Sequence, residues 1–298
     1  MRISTSSTAD TVLAQLQRLS SRQADLQRQV ATGQRIARPG DDPAAAGRVL
    51  SAGIERGSVA QFARNASSAL EYSKTAYSGL QQLKKVSDRA GELAVLGQGG
   101  LDADALRSYA AEVDQLIEQA ASLGNSRNGG DHVFAGTALD TPPFVLARGA
   151  DGRVSSVAYA GDSGRLAVPI SENSTLQPGS DPATNAGLAD FMNQLVALRD
   201  ALSAGDSSAV GSLRSGLDAS EDLLVDALSA QGAVQLRIEV AQAQQKSRLQ
   251  EIERQISADA DADLPEVIVR LTQAGQAYEA ALSSSSTVLK LSLLDYLR

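Results

Sequence analysis

The sequence predicts a mainly α-helical protein, an elongated rod of long antiparallel helices with a small β-rich insert in the middle of the chain. Near both ends, apolar residues recur at steps of three and four, which is typical of helices that pair along a seam. Aromatic residues make up 3% of the 298 residues and Trp is absent, so we expect close packing of Ala and Leu rather than a thick core. Ten of the 25 glycines and five of the eight prolines lie between positions 124 and 187, which predicts frequent turns there.

The first helix is predicted to end at Gly33. Its seam has heptad spacing, with Gln23 in the one apolar position that is missing. The apolar members of this seam are Ala9, Val12, Leu16, Leu19, Leu26 and Val30. Glycine adopts the left-handed conformation that commonly ends a helix, so Gly33 is the expected stop.

Two further helices precede the insert. One is predicted from Pro43 to about Leu96, and the next from about Asp102 to Ser126. Four short runs follow, HVFAG, PFVLAR, RVSSVAYA and RLAVPI, separated by glycine-rich turns. They predict a set of β-hairpins. Since these hairpins are poor in apolar residues, we expect them to sit on the helical body rather than to fold alone.

Helical periodicity returns at Leu188, breaks at GDSSA (205–209) and continues to Ile256. An Asp-rich stretch and Pro265 then predict a restart, because proline is tolerated in the first turn of a helix. Both terminal helices carry an apolar stripe with no local partner. We therefore expect them to pair with each other, and with copies in other subunits.

Composition narrows the class of protein. The net charge of −8 argues against a nucleic-acid partner, although the first 60 residues hold eight Arg against four Asp and one Glu, a net charge of +3. The absence of Cys excludes disulfides and thiolate sites. The sequence shows neither a cleavable signal peptide nor a membrane span, so we expect a cytoplasmic protein or one exported without a cleavable signal.

The residues offer little for catalysis, a cofactor or a metal, and we expect none of these. His132, the only histidine, has no G-x-S-x-G elbow to serve, so an ordinary structural or surface role is expected. Phosphate-loop and dinucleotide motifs are absent. Asp259, Asp261 and Asp263 have the first spacings of an EF-hand loop, but the Gly and Glu that complete the loop are missing. A solvated acidic turn is expected there, with Asp263 as a candidate N-cap.

The stretch ATGQRIARPGDDPAAAGR (31–48) holds two charged clusters around a Gly-Pro kink, which suggests either an anion or metal site or a joint between helices. The residues favour the joint. Asp42 is a good N-cap and Pro43 a good first helical residue. Arg38-Pro39-Gly40 predicts an extended turn, because a residue before proline is pushed out of the α region. We name this segment the joint; its marked residues are Gly33, Arg35, Pro39, Asp41, Asp42 and Pro43.

The same stretch resembles a signature of the flagellin family, in which an "STG-x-R-I/V…DDPA" string follows the first terminal helix. GGDHVFAGTALDTPPF (129–144) and YEAALSSSSTVLKLSLLDYL (278–297) resemble strings of the hook–filament junction proteins of that family. LDADALRSYAAEVDQL (101–116) also fits. The resemblance covers roughly the first 145 and the last 70 residues, with Ala31 in place of the usual Ser and Leu294 in place of Phe.

The resemblance implies a structural adaptor at the bacterial flagellar hook–filament junction, without turnover, that links hook-associated protein 1 to flagellin and is needed for motility. It also implies export through the flagellar type III path to the outside of the cell, self-association in a helical ring, and a cytoplasmic export chaperone on the C-terminal helix. No nucleic acid or membrane partner is expected. The alternatives are flagellin itself and, less favoured, an unrelated exported helical effector or translocator.

The resemblance further implies three domains: a terminal-helix coiled coil (1–40 with 262–298), a helical bundle (41–130 with 185–261) and a β-rich outer insert (131–184). The expected face for subunits and chaperone is the set of seam residues Val12, Leu16, Leu19, Leu26, Leu271, Tyr278, Leu282, Leu289, Leu293 and Leu297. The alternative is that these residues only close a helix pair within one chain.

Overall fold

The computed structural model describes residues 3–99 and 102–296, and side-chain burial for 10–99 and 102–286. The described chain holds six helices and six short strands. It divides into two compact units, one of residues 1–58 with 248–298 and the other of residues 59–247.

The first unit is built on its terminal helices. Helix α1 (Ile3–Thr32) packs against α6 (Leu264–Tyr296), as the two unpartnered stripes predicted. The buried centre of this pair consists of Leu26, Val267 and Ala274, with Val30 and Leu271 packed against it. The beginning of α2 (Pro43–Gly97) and the end of α5 (Ser207–Ala260) complete the unit.

The second unit holds the main core. It contains α3 (Ala103–Gly124), α4 (Pro182–Ala204) and the adjoining parts of α2 and α5. The two complete helices are capped by the residue types that favour helix starts, since Asp102 accepts from the Ala105 amide at 2.7 Å and Asp181 from the Ala183 amide at 2.9 Å. The largest fully buried side chains here include Phe134, Phe144, Phe191, Leu80, Leu83 and Leu195.

Between α3 and α4 the chain forms three separate antiparallel hairpins. Strand β1 (Arg127–Asn128) pairs with β2 (Asp131–His132), and β3 (Phe144–Arg148) with β4 (Val154–Tyr159). Strand β5 (Val168–Ser171) pairs with β6 (Ser174–Leu176). The loop after β2 reaches the main core through Val133 and Phe134, and the β3–β4 hairpin reaches it through Phe144 and Val157.

The prediction of a mainly α fold with paired terminal helices and a hairpin insert is confirmed. The strand predicted for HVFAG (132–136) is wrong except at its first residue. His132, together with the preceding Asp131, pairs with β1, whereas Val133–Ala135 form a buried loop. Helix α4 begins at Pro182, earlier than Leu188, because Asp181 caps it. The three-domain division stays a prediction. Within the described residues, no helix combines the length and the apolar character needed to cross a bilayer.

Candidate assembly site at the joint

The joint begins where α1 stops. Gly33 has a φ of +71°, the left-handed conformation that side chains disfavour, and its amide donates to the Gln29 carbonyl at 2.8 Å. The Gly33 carbonyl then accepts from the Ala262 amide at 2.9 Å. The predicted stop is therefore confirmed, and it also ties the end of α1 to the segment between α5 and α6.

Two neighbouring carboxylates shape the rest of the joint. Asp41 accepts from the Ala37 and Arg38 amides at 3.0 and 2.8 Å, which closes the predicted turn around Pro39. Asp42 accepts from the Ala45 amide at 3.0 Å and so caps α2. These hydrogen bonds satisfy amides that have no partner within the helix or turn itself.

Two arginines connect the joint to the end of α5. The Arg35 guanidinium donates to the Asp42 carboxylate at 3.2 Å and to the Asp259 carbonyl at 2.7 Å. The Arg35 amide donates to the Ala260 carbonyl at 2.7 Å. Arg48 on α2 holds the Asp259 carboxylate with two hydrogen bonds, at 2.5 and 3.0 Å. Arg35 thus donates to carbonyls at the C-terminal end of α5 that would otherwise lack donors. Its positive charge there also interacts favourably with the helix dipole.

These contacts keep the carboxylates ionised. Hydrogen bonds from the Arg38 and Ala37 amides hold the pKa of the Asp41 carboxyl below its ordinary value of 3.8. The Ala45 amide and Arg35 lower the pKa of Asp42, and Arg48 lowers the pKa of Asp259. Because each folded-state pKa is depressed, these contacts are fully present at neutral pH and are lost only as pH falls below 3.8.

The joint also frames an apolar groove of about 560 Å³. Its lining includes Ile36 and Pro39 of the joint, Leu50 of α2 and Ile256 of α5. We name this cavity the joint groove. Its lining is mostly aliphatic, so it suits an apolar side chain from a protein partner better than it suits an ion.

The structure corrects the expectation for the Asp-rich turn. Asp259 is bound by Arg48, with only 24% of its side chain exposed, so it is more than a solvated acid. Sequence reasoning missed it because the pair joins residues far apart in the chain. Asp263 accepts from the Glu266 amide at 3.3 Å, which confirms it as the N-cap of α6. Among the residues that the structure describes, no group of three or more His, Asp or Glu is arranged to hold a metal.

The seam residues divide by burial. Leu26 is 8% exposed and packs within its own chain, while Val12, Leu16, Leu19, Leu271 and Tyr278 are half-buried. Leu282 is 50% exposed. The side chains of Leu289 and Leu293, and all of Leu297, lie outside the described residues. Contact of these residues with a subunit or chaperone stays a prediction.

The loop after β2 forms a second ordered cluster. Phe134 is fully buried, and a Cβ placed on Gly79 of α2 would lie 3.0 Å from its ring. The Tyr159 hydroxyl donates to the Phe134 carbonyl at 3.0 Å, and the Tyr72 hydroxyl donates to the Val133 carbonyl at 3.2 Å. Burial, followed by the nearby Asp131 carboxylate, raises the pKa of Tyr72 to about 12, so it remains a donor at neutral pH.

His132 is buried beside this cluster, with 2% of its surface exposed. Its Nε2 accepts from the Arg127 Nε–H at 3.1 Å, and its Nδ1–H donates to the Asn125 carbonyl at 3.0 Å. A protonated ring could not accept from Arg127. Burial and the Arg127 charge lower the pKa of His132 below its ordinary 6.5. The predicted structural role is therefore a neutral, hydrogen-bonded one.

We predict that stability falls as pH drops below 6.5, where the unfolded chain binds a proton that the folded His132 still refuses. The slope should be up to about 1.4 kcal/mol per pH unit in this range. Denaturant unfolding between about pH 5 and pH 7 measures it. Since there is one histidine in the chain, His132→Gln should remove the slope. An unchanged slope in that variant would assign it to other groups.

The N-terminal part of the chain is similar to a known protein family. Residues 3–138 match the model of the bacterial flagellin N-terminal helical region, a stretch that contains the joint and the buried loop after β2. Over this part, the chain is similar to the helical region of flagellins.

More particular relatives follow from sequence and fold. The chain is 29% identical over 199 residues to flagellar hook-associated protein 3 of Salmonella typhimurium, which covers 62% of this chain and 63% of the relative. It is 28% identical over 171 residues to the Escherichia coli protein of the same name, covering 53% and 54%. The chain resembles flagellar hook-associated protein 3, as its motifs predicted. Each match spans less than two thirds of the relative's length.

Solved structures share the fold. A putative flagellar hook-associated protein from Vibrio parahaemolyticus superimposes with a TM-score of 0.65 at 16% identity, covering 74% of this chain and 100% of the other. FlgL from Bacillus cereus gives 0.60 at 17% identity, covering 70% and 99%.

Proposed function

We propose that this chain is a structural adaptor at the bacterial flagellar hook–filament junction, linking hook-associated protein 1 to flagellin. The observation that carries the proposal is the 199-residue match to hook-associated protein 3. The fold supports the proposal, because the joint, the terminal helix pair and the buried loop provide close packing and ion pairs. The described residues form no catalytic constellation. Binding and positioning are the work that such surfaces do.

The terminal helices provide the assembly face in this proposal. The partly exposed seam residues Leu16, Leu271 and Leu282 gain burial when copies stack in a helical ring, at about 25 cal/mol for each Å² of apolar surface removed from water. A head-to-tail contact that repeats around an axis produces such a ring. In this proposal, residues 1–40 and 262–298 lie innermost in the assembly and the insert (131–184) lies outermost.

Export through the flagellar type III path to the outside of the cell belongs to the same proposal. A cytoplasmic export chaperone would shield the C-terminal helix until export, because an apolar stripe left in water favours association. We predict that deletion of residues 279–298 abolishes co-purification of the chaperone from the native host. Deletion of residues 150–152 in an exposed turn is the control and should leave co-purification intact. Chaperone binding to the truncated chain would place its site elsewhere.

The decisive test is a deletion strain. Without a junction protein, cells should build hooks without filaments, spill unpolymerised flagellin into the medium and lose motility. Complementation with the intact gene should restore all three. Normal filaments in the deletion strain would refute the proposed function.

Flagellin is the second candidate, because residues 3–138 match the flagellin helical region itself. The two differ in polymerisation. A filament subunit forms long filaments alone when seeded, whereas a junction protein stays largely monomeric. Long unaided filaments of the purified chain would favour flagellin. An unrelated exported effector would appear in the medium but not in sheared flagella.

We predict that Arg35→Ala and Asp41→Ala impair junction assembly without unfolding the chain. Both groups are exposed and make surface contacts, which typically contribute little to folding stability. However, Arg35→Ala removes the side-chain hydrogen bond from the joint to the end of α5, and Asp41→Ala removes the hydrogen bonds that close the turn around Pro39. Swimming in soft agar and thermal unfolding measure the two effects. Arg22→Ala, an exposed residue of α1, is the matched control; full motility of both joint variants would contradict the prediction.

A further inference from the structure

Two helix faces with the same pattern are left exposed on different units. On α2, Leu50 and Ile54 are 68% and 67% exposed, between Gly47 and Gly57. On α5, Leu236 and Val240 are 62% and 51% exposed, between Gly232 and Ala243. We call these the α2 face and the α5 face. Two such side chains one turn apart form a contiguous apolar patch, and contiguous patches indicate interaction sites more than single exposed residues do.

The glycines on these faces have no packing role within the chain. A Cβ built on Gly47, Gly57 or Gly232 meets no atom within 4 Å. Glycine within a helix lowers stability by about 1 kcal/mol relative to alanine. Since nothing in the same molecule packs against these glycines, no contact within the chain offsets that cost. A helix from outside could approach closely at these three positions.

The two faces match each other in geometry. Each presents small, large, large, small residues over three turns, about 15 Å from Gly47 to Gly57 and about 16 Å from Gly232 to Ala243 at 1.5 Å per residue. Leu50–Ile54 and Leu236–Val240 are both spaced i to i+4. Ridges with that spacing fit into each other's grooves in the commonest class of helix packing. The joint groove next to Leu50 offers further apolar surface to an incoming side chain.

Charge decides which copy-to-copy pairing is favoured. Beside the α2 face, Arg38 and Arg56 are exposed and make no ion pair among the described residues. Near the α5 face, the carboxylates Asp222, Asp226 and Glu239 are likewise exposed and unpaired there, and they outnumber the exposed, unpaired cations Arg237 and Lys246. Pairing a face with its own copy would oppose like charges, whereas pairing the two different faces brings cations to carboxylates.

We propose that the α2 face of one copy of this chain docks on the α5 face of a second copy. The contact joins different surfaces, so it propagates from one subunit to the next instead of closing a twofold dimer. The inference rests on the proposed function only in assuming that copies of this chain associate with each other. It adds a contact outside the terminal seams, whose large apolar residues (Leu50, Ile54, Leu236 and Val240) lie in none of the quoted motifs.

Cysteine cross-linking tests the contact cleanly, because the chain has no Cys of its own. Differently tagged Leu50→Cys and Leu236→Cys chains are co-expressed in the deletion strain, and their mixed disulfide is measured in flagella sheared from the cells. A disulfide requires Cα atoms about 4.4–6.8 Å apart, so it reports close approach. Using one cysteine per chain makes every mixed product a contact between copies.

Ala230→Cys is the matched control. It is exposed on α5 but lies about 120° around the helix from Leu236, away from the centre of the α5 face. Leu50→Cys should form about tenfold more mixed disulfide with Leu236→Cys than with Ala230→Cys, a preference worth about 1.4 kcal/mol. Asp222→Lys with Glu239→Lys in the second chain should lower that yield.

Three results would overturn the inference: equal yields with the control, Leu50→Cys homodimers as the main product, or no disulfide in flagella that contain both chains. The third leaves the proposed function standing. If neither chain is present in flagella, the proposed function fails instead. In that case the same yields are compared for the concentrated purified chains, where absence of the mixed disulfide overturns the inference.

Discussion

Replacing Gly136 with alanine is expected to lower the free energy of unfolding by about 2–5 kcal/mol, from a left-handed backbone and from overpacking combined. Gly136 has a φ of +72°. A Cβ built there would lie 2.5 Å from the Asp162 carbonyl oxygen and still closer to its carboxylate. Neither atom can move freely, because Asp162 clamps the turn.

The clamp consists of hydrogen bonds that Asp162 makes on both sides of Gly136. The Thr137 amide donates to the Asp162 carboxylate at 2.6 Å, and the Asp162 amide donates to the Ala135 carbonyl at 3.1 Å. The Thr137 hydroxyl and amide hold the pKa of Asp162 below its ordinary range. Pushing Asp162 away would therefore break the contacts that seat Phe134 in the core.

Gly129→Ala separates the two causes. Gly129 also has a positive φ, of +61°, but a Cβ there meets nothing within 4 Å. This variant should lose only the backbone part, about 1–2 kcal/mol. Chemical denaturation of both variants beside the parent measures the difference. Equal losses at the two positions would show that the clamp around Asp162 adds nothing.

Local features of the fold could be predicted because their causes are local. The end of α1 at Gly33 and the start of α2 at Asp42 and Pro43 depend on residues within one turn, and periodicity sets the helices between. HVFAG failed as a strand for the opposite reason. The Ala135 carbonyl accepts from Asp162 rather than from a neighbouring strand, and no short-range pattern shows that.

The candidate site divides in the same way. Its caps and turn could be predicted, but the Arg48–Asp259 pair joins residues 211 positions apart. Sequence alone gave Asp259 no partner, so it suggested a solvated turn. The seam residues show a further limit. Leu26 on α1 is buried and Leu282 on α6 is half-exposed, although both stand at the three-and-four spacing of their helices, because burial depends on which helix packs opposite.

A second large effect is expected at Arg199. Only 6% of its side chain is exposed, and its guanidinium donates to the Asp114 carboxylate at 2.9 Å and to the Val154 carbonyl at 2.7 Å. It therefore joins α3, α4 and β4 through one buried cation. Arg199→Ala would leave the partly buried Asp114 carboxylate and the Val154 carbonyl without their donor.

Breaking a buried pair from one side typically costs about 3–5 kcal/mol, because the remaining charge loses its partner. We expect a loss of that size for Arg199→Ala in denaturant unfolding. Asp200→Ala is the control: Asp200 also accepts from Arg199, at 2.7 Å, but its side chain is 63% exposed, so its removal should cost about 1 kcal/mol or less. Arg199→Ala with Asp114→Ala should recover part of the loss, since no carboxylate is then left unpaired. If the double variant is as unstable as the sum of both single variants, the cost comes from lost packing of the arginine stem and not from the stranded charge.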